Sequence, residues 1–534
     1  MDSGYDPTDS VTIVGWLKDM PEQAWQRGRE FSVALNDFFK TSEEDEYTKV
    51  DSLGRFCLKM SLLNSSQAFI DWEHTTASSV LEPGKTYFLL NDFKKGQKLW
   101  MGDDVRLQNE LLSYPHTWEQ VRINYGENVK IDAMMHWAQT DSLRNKQTEE
   151  LRQLLAAHPN LSERYVDYIK GYHQNLQFNS MMSAGFYTTL PQEYMDYVTQ
   201  ELWLKAPKPY TLYRDFVDRK TFYLNQLIGN SEDNDIVAAL KRYEQEGRLT
   251  LSEEEKNLVS QYQTEMKQVM AEFKAAQTNE DRQRIANQFN ESPLVKNVSV
   301  VVQKHMDLLK THSYQRYLQC MDSVGTDRQL RDLCLACLLY NQIDGSRSAL
   351  DPEVLSYGKE NIQIPSAIAA VETLNDKYLA IQNRDIPKPP SLKSAEDVAN
   401  MSDGEQLLRK LIEPYKGKII LLDIWGTWCA PCKAALKHSQ EEYERLKDYD
   451  LVYLYLANDS PEETWQSIIE EYKVLGDNVV HYNLPKDQQQ AIERFVKIKG
   501  YPTYKLIDRD GNLLDVNADP RELEGLARLL DMMK

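Results

Sequence analysis

Asp423-Ile-Trp-Gly-Thr-Trp-Cys-Ala-Pro-Cys432 is the stretch on which the reading of this chain turns. It follows the apolar run Lys418-Ile-Ile-Leu-Leu-Asp423 and precedes a helical pattern from Lys433 to Lys447, which places both cysteines at a strand-to-helix corner. Cys429 falls at or just before the first helical turn. There, unpaired backbone N–H groups and the positive end of the dipole favour thiolate over thiol. A thiolate is the attacking species in disulfide exchange. Cys432, three residues on, faces the same side of that turn and can close on Cys429. Pro431 fits because the first helical turn needs no N–H from it.

Beyond the motif the pattern alternates between strand and helix. Strands are expected at Ile419–Ile424, Leu451–Ala457 and Val479–Tyr482, with helices at Pro431–Lys447, Glu462–Tyr472 and Lys486–Val496. A pair of strands, Thr503–Asp508 and Leu513–Val516, flanks the turn Arg509-Asp-Gly-Asn512, and a helix closes the chain over Pro520–Met533. Such alternation implies a mostly parallel sheet covered by helices on both faces, and Asp510-Gly511 is a hairpin signal for an antiparallel edge.

With these elements in place, residues 392–534 resemble a thioredoxin-fold domain of the TlpA/ResA type, the envelope thiol-disulfide oxidoreductases. The matching residues are Trp425-Gly-Thr-Trp-Cys-Ala-Pro-Cys432, Asp423 six residues before the first cysteine, Gly500-Tyr-Pro-Thr503, and Leu506-Ile-Asp-Arg-Asp-Gly511. An inserted strand-helix unit at roughly 458–482 is also similar to that subgroup. The resemblance implies that Cys429 is the nucleophile, Cys432 the resolving thiol and Pro502 a cis-proline facing the disulfide. It leaves the backbone of Tyr501 free to pair with an incoming peptide, with Trp428 and Thr503 completing a substrate-binding set. Asp423 stands at the position of the family's buried acid, which moves the proton of the resolving cysteine. A carboxyl buried in a strand has a raised pKa and serves near neutral pH. The other reading of Asp423 is a strand-end residue held by ordinary hydrogen bonds. Plain thioredoxins carry a lysine on the next strand, and Val452-Tyr-Leu-Tyr-Leu-Ala457 has none. Asp459 reads as a helix cap before Ser460-Pro461, Trp425 as packing and His438 as a solvated helix residue.

Upstream, Gln382-Asn-Arg-Asp-Ile-Pro-Lys-Pro-Pro-Ser391 is a proline-stiffened linker, so a linker is expected at 383–391 and a new domain from 392. Residues 111–382 read as a helical domain. Ser252-Glu-Glu-Glu255 is a capping-box start, followed by Leu258, Tyr262, Met266, Met270 and Phe273 as one core-facing stripe, and a second helix follows Thr278-Asn-Glu280. Further amphipathic segments lie at Ser162–Gln174, Val295–Met321 and Val354–Ile381. Cys334-Leu-Ala-Cys337 is a second C-x-x-C, in a helix opened by Thr326-Asp-Arg-Gln329, and reads as two buried structural thiols. A zinc site built from Cys320, Cys334, Cys337 and His305 or His312 matches no compact zinc spacing.

Residues 1–110 carry short apolar or alternating runs, Val11-Thr-Ile-Val-Gly15, Phe31–Leu35, Arg55–Met60, Ala68–Trp72 and Thr86–Leu90, which suggest a small antiparallel sandwich. Cys57 within one run reads as a buried small hydrophobe. This β-rich start and the helical middle loosely resemble the region that precedes such domains in multidomain envelope relatives.

The 62 Lys+Arg against 82 Asp+Glu give a net charge of −20, which argues against nucleic acid and anionic membrane surfaces as partners. No run of about 18 apolar residues is present, so no transmembrane segment is expected. The start Met1-Asp-Ser-Gly-Tyr-Asp-Pro7 lacks the pattern of a secretory signal, which leaves a cytoplasmic protein or an envelope protein whose leader is absent from this sequence. Six cysteines are too few for a disulfide scaffold and point to chemistry at one pair.

The leading expectation is a thiol-disulfide oxidoreductase of the periplasm or cell envelope that reduces protein disulfides and is recharged by an external thiol donor, with no metal and no cofactor. The alternative is a partner- or ligand-binding scaffold in which the pair is a redox switch.

Overall fold

Short strands separated by tight turns build the first part of the chain. They are β1 (Ser10–Lys18), β2 (Glu30–Leu35), β3 (Asp45–Lys49), β4 (Arg55–Ser61), β5 (Ser66–Asp71), β6 (Ala77–Leu81), β7 (Thr86–Asp92) and β8 (Gln97–Gly102). They form two four-stranded sheets, ordered β4-β1-β7-β8 and β3-β2-β5-β6. The computed structural model describes residues 10–22, 30–35, 38–39, 45–71, 77–115, 119–121, 131–229, 236–276, 278–383, 389–516 and 518–533. Outside the described residues lie the chain start, Trp72 at the end of an expected strand, and the centre of the proline-rich stretch, residues 384–388. The chain divides into two compact units, Met1–Asn341 with Asp351–Val371, and Gln342–Leu350 with Glu372–Lys534.

In the first unit Val11, Ile13, Phe31, Val33, Ala68, Ile70, Tyr87 and Trp100 from both sheets share one apolar core. The strands are not all antiparallel: β1 runs parallel to β7 while pairing antiparallel with β4. Cys57 is exposed, which corrects the buried reading. Period-two alternation turns Phe56, Leu58 and Met60 inward and leaves Cys57 on the outer face of β4.

Helices follow from Arg106–Ser113 onward. Ser252 and Glu255 make the reciprocal capping box of helix Glu253–Ala275. Its apolar stripe is buried only at the near end. Val259, Leu258 and Tyr262 join helices Ile236–Gln245 and Pro293–Lys304 in one cluster, whereas Met270 remains 46% exposed. Helix Arg328–Ser346 is capped by Asp327, whose carboxylate accepts from Gln329 N–H at 3.0 Å, and not by Thr326, whose hydroxyl accepts from Trp203 Nε1. Cys334 and Cys337 are buried thiols outside any disulfide, among Leu330, Leu333 and Leu339. Burial pushes the Cys334 thiol far above its usual range. Among the described residues no group of His, Cys, Asp and Glu could hold a metal, and no helix is long and apolar enough to cross a membrane.

The second unit is organised on β9 (Ile419–Trp425), β10 (Leu451–Ala457), β11 (Val479–Asn483), β12 (Thr503–Ile507) and β13 (Leu513–Leu514), in the order β11-β10-β9-β12-β13. β9, β10 and β11 are parallel, and β12 and β13 run antiparallel. All seven residues of β9 are buried, as expected for a central strand covered on both faces. Alternation sends Ile420, Leu422 and Ile424 into one layer with helices Gly404–Ile412 and Lys486–Val496. Ile419, Leu421 and Trp425 enter the opposite layer, together with Cys429, Cys432, Tyr453, Tyr455, Tyr504 and helices Glu462–Glu471 and Leu523–Asp531.

Segments 342–350 and 372–382 belong to this unit through helix Glu462–Glu471. Glu471 accepts from Tyr378 Oη at 2.9 Å, Lys377 Nζ at 2.5 Å and Arg347 Nη1 at 3.4 Å, and Thr464 Oγ1 donates to Ser346 O at 2.7 Å.

Candidate active site

β9 ends at Trp425, and the backbone turns through Gly426 and Thr427 into helix Ala430–Leu436. At Gly426 the neighbouring groups approach closely. A Cβ would lie 2.7 Å from Trp428 Nε1 and 3.2 Å from Asn458 O. Thr427 N–H donates to Ser460 Oγ at 3.0 Å, so the turn is tied to the loop after β10.

Cys429 is the N-cap of the helix with extended backbone, and Pro431 sits in the first turn. Its Sγ accepts from Cys432 N–H at 3.2 Å. The two sulfurs are bonded in a disulfide. Cys429 is 4% and Cys432 1% exposed, so Cys429 is the more accessible. This N–H and the helix terminus face the Cys429 sulfur, an arrangement of the kind that lowers a thiol pKa once a disulfide is reduced.

Helix Ala430–Leu436 stops short of the single helix to Lys447 that periodicity suggests, and a second helix starts at Ser439. Ser439 Oγ donates to Leu436 O at 2.7 Å, a side-chain bond to the i−3 carbonyl of the kind that bends helices. His438 is exposed at this break.

Trp428 is 54% exposed. Its Nε1 donates to Asn458 O at 3.1 Å, and its ring meets Tyr501 edge-on at 4.9 Å. Asn458 Nδ2 donates to the buried Glu493 carboxylate at 2.7 Å, and Gln489 Nε2 donates to it at 3.1 Å. The Tyr501–Pro502 bond is cis. Burial pushes the Tyr501 phenol up, and hydrogen bonding to Glu493 adds to this. Thr503 opens β12 opposite Ile424, with its hydroxyl donating to Gly500 O at 2.6 Å. Trp428, Tyr501, Pro502 and Thr503 therefore gather at the end of the sheet that carries the disulfide.

Asp423 sits two residues before Trp425 on the disulfide-bearing face of β9 and is 6% exposed. Burial raises its pKa well above the ordinary carboxylate range. Glu442 and Asp519 add to the rise and Arg521 opposes it. In place of a lysine, β10 sets Tyr455 directly beside it in register. Trp425 is fully buried. Asp459 is exposed and accepts from Lys486 Nζ at 3.0 Å, away from the buried acid.

Sequence reasoning missed Asn458, Glu493 and Glu442. Glu442 was legible: Ser439, Glu442 and Leu446 share one helical stripe, and all three are buried. Asn458 and Glu493 come from separate elements, and no spacing links them.

Residues 417–513 match the thioredoxin-like family model. The C-terminal part of this chain is a thioredoxin-like domain. Similar proteins include the thiol-disulfide oxidoreductase ResA of Oceanobacillus iheyensis, 27% identical over 105 residues that make up 20% of this chain and 52% of that protein. ResA of Bacillus cereus is 26% identical over 104 residues, covering 20% of this chain and 57% of its own length. The chain thus spans about half the length of these curated relatives. Among solved structures, the thioredoxin domain of a thiol-disulfide oxidoreductase from Bacteroides vulgatus shares 25% identity, covering 23% of this chain and 84% of that one, with a TM-score of 0.20.

Proposed function

We propose that this protein is a thiol-disulfide oxidoreductase that reduces protein disulfides in the cell envelope. The observation that carries the reading is Cys429 at the helix N-cap, its sulfur facing Cys432 N–H at 3.2 Å and bonded to Cys432. In this reading the Cys429 thiolate attacks a substrate disulfide and one substrate sulfur leaves. Cys432 then loses its proton to Asp423 and attacks the mixed disulfide, so two electrons pass to the substrate. Trp428, Tyr501, Pro502 and Thr503 form the surface that receives the substrate chain, with backbone pairing at Tyr501. An external thiol donor restores the dithiol. The front of the chain, a sandwich-like domain over 1–110 and a helical domain over 111–382 whose segments 342–350 and 372–382 pack with the redox unit, precedes the linker 383–391 and the redox domain 392–534.

The test is turnover of insulin disulfides by the full chain and by Cys429→Ser. Activity in the first and none in the second is expected. Equal inactivity of both, with a dithiol that still titrates, would refute the reading.

A further inference from the structure

A second buried acid, Glu442, lies on the helix packed against Tyr455, the neighbour of Asp423 in the sheet. Asp423 is flanked in register by Tyr455 on β10 and Tyr504 on β12. Helix Ser439–Leu446 covers this row: Tyr443 Oη lies 2.9 Å from Tyr455 Oη, the Tyr443 ring packs 4.5 Å from that of Tyr453, and Leu446 enters the same apolar layer. Glu442, on that helix, is 8% exposed. Asp423 Oδ1, Glu442 Oε1 and the hydroxyls of Tyr453 and Tyr504 have no hydrogen-bond partner among the described residues. The charged groups that complete the surroundings, Asp519 and Arg521, pair with each other at 2.5 Å. A leucine in the stripe of Ser439 and Leu446 would fill the place of Glu442 without burying an unpaired carboxyl, so the acid there costs stability.

We propose that Asp423 and Glu442 are a coupled carboxyl pair that holds, in the disulfide form, the proton Cys432 takes up when the disulfide opens, with Glu442 as the positioning residue that keeps Asp423 protonated. This inference rests on the thiol-disulfide exchange reading above. In the recharging step a donor thiolate attacks Cys429 Sγ and a donor–Cys429 bond forms. The Cys429–Cys432 bond breaks, and Cys432 Sγ leaves with the electron pair and receives the proton of the pair. A second donor thiolate frees Cys429, so the donor dithiol is oxidised and the protein disulfide reduced by two electrons. Two buried carboxyls that share one dry layer, each with an unpartnered oxygen, cannot both ionise easily. Burial and Asp519 raise Glu442 to about 8, and the Glu442 charge adds to the rise of Asp423.

The experiment follows reduction of the full-length oxidised protein by dithiothreitol, read by tryptophan fluorescence, and the redox potential against dithiothreitol, both across pH. Rates of Glu442→Gln are divided by wild-type rates at each pH, which cancels the ionisation of dithiothreitol. The ratio is expected to be near one in mild acid and to fall about threefold or more by about pH 8, since Asp423 loses its proton earlier without Glu442. The break in potential against pH should move down by about one pH unit or more, and Glu442→Asp should restore it. An unmoved break and a flat ratio would overturn the pair while leaving the oxidoreductase reading standing. A protein reducible by dithiothreitol yet inert toward insulin would refute only that reading. A disulfide that dithiothreitol cannot open at any pH would refute both.

Discussion

At the scale of single residues, the site separates reactivity from recognition. Reactivity sits at Cys429, whose sulfur is the side-chain cap of a helix. In reduced Cys432→Ser protein, thiolate absorbance against pH should place Cys429 below the free-cysteine value of ~8.5, and a value at or above it would remove the helix-terminus argument. Recognition falls to Trp428, an exposed indole anchored by one hydrogen bond to Asn458 O. Trp428→Ala removes an exposed contact and no core volume. Turnover of a protein disulfide should drop on the order of tenfold, by the weight aromatic anchors carry at contact surfaces, while denaturant stability stays within ~0.5 kcal/mol of wild type.

At the scale of elements, helix Glu462–Glu471 is held by a largely buried ion cluster in which one carboxylate, Glu471, serves Arg347, Lys377 and Tyr378. Glu471→Ala leaves the buried Arg347 with fewer acceptors, and a loss on the order of 3 kcal/mol is expected from chemical denaturation of the full chain. The elements also mark where sequence stops being informative. Parallel strands β9 and β10 read clearly because both faces are covered and their apolar runs are unbroken. Strands β3 (Asp-Glu-Tyr-Thr-Lys), β6 and β8 were not legible: each is a sheet edge, where polar residues are tolerated and alternation fades. The helix break at Lys437–His438 was missed because it turns on Ser439 Oγ finding a carbonyl, which no periodicity encodes. In the site, the Cys-Ala-Pro-Cys corner and Asp423 were readable as local patterns, whereas the tyrosines beside Asp423 depend on strand register.

At the scale of the whole molecule, buried titratable groups set opposite pH slopes. Burial holds His173, His312 and His481 near 4, so below about 6.5 the unfolded chain binds protons that the folded chain refuses. Their contribution is full above about 6.5 and is lost as pH falls toward 4, by at most ~1.4 kcal/mol per pH unit per histidine. Glu442 works the other way. Held at about 8 when folded, it keeps a proton the unfolded chain gives up in the ordinary carboxylate range. Stability of the second unit therefore declines as pH rises toward 8, and Asp423 adds to the decline. Denaturation of the oxidised protein at a series of pH values should show an alkaline limb above about 6.5 that Glu442→Gln flattens. A limb of unchanged slope in that variant would contradict the assignment.

The parallel pairing of β1 with β7 has a consequence during synthesis. A ribosome delivers β4 soon after β1, so one flank of β1 can be occupied once residue 61 has emerged. The opposite flank must wait for Thr86–Asp92. Throughout that interval the nascent chain displays an apolar strand with an open row of amides, a template on which neighbouring polysomes could mispair unless a holdase shields it.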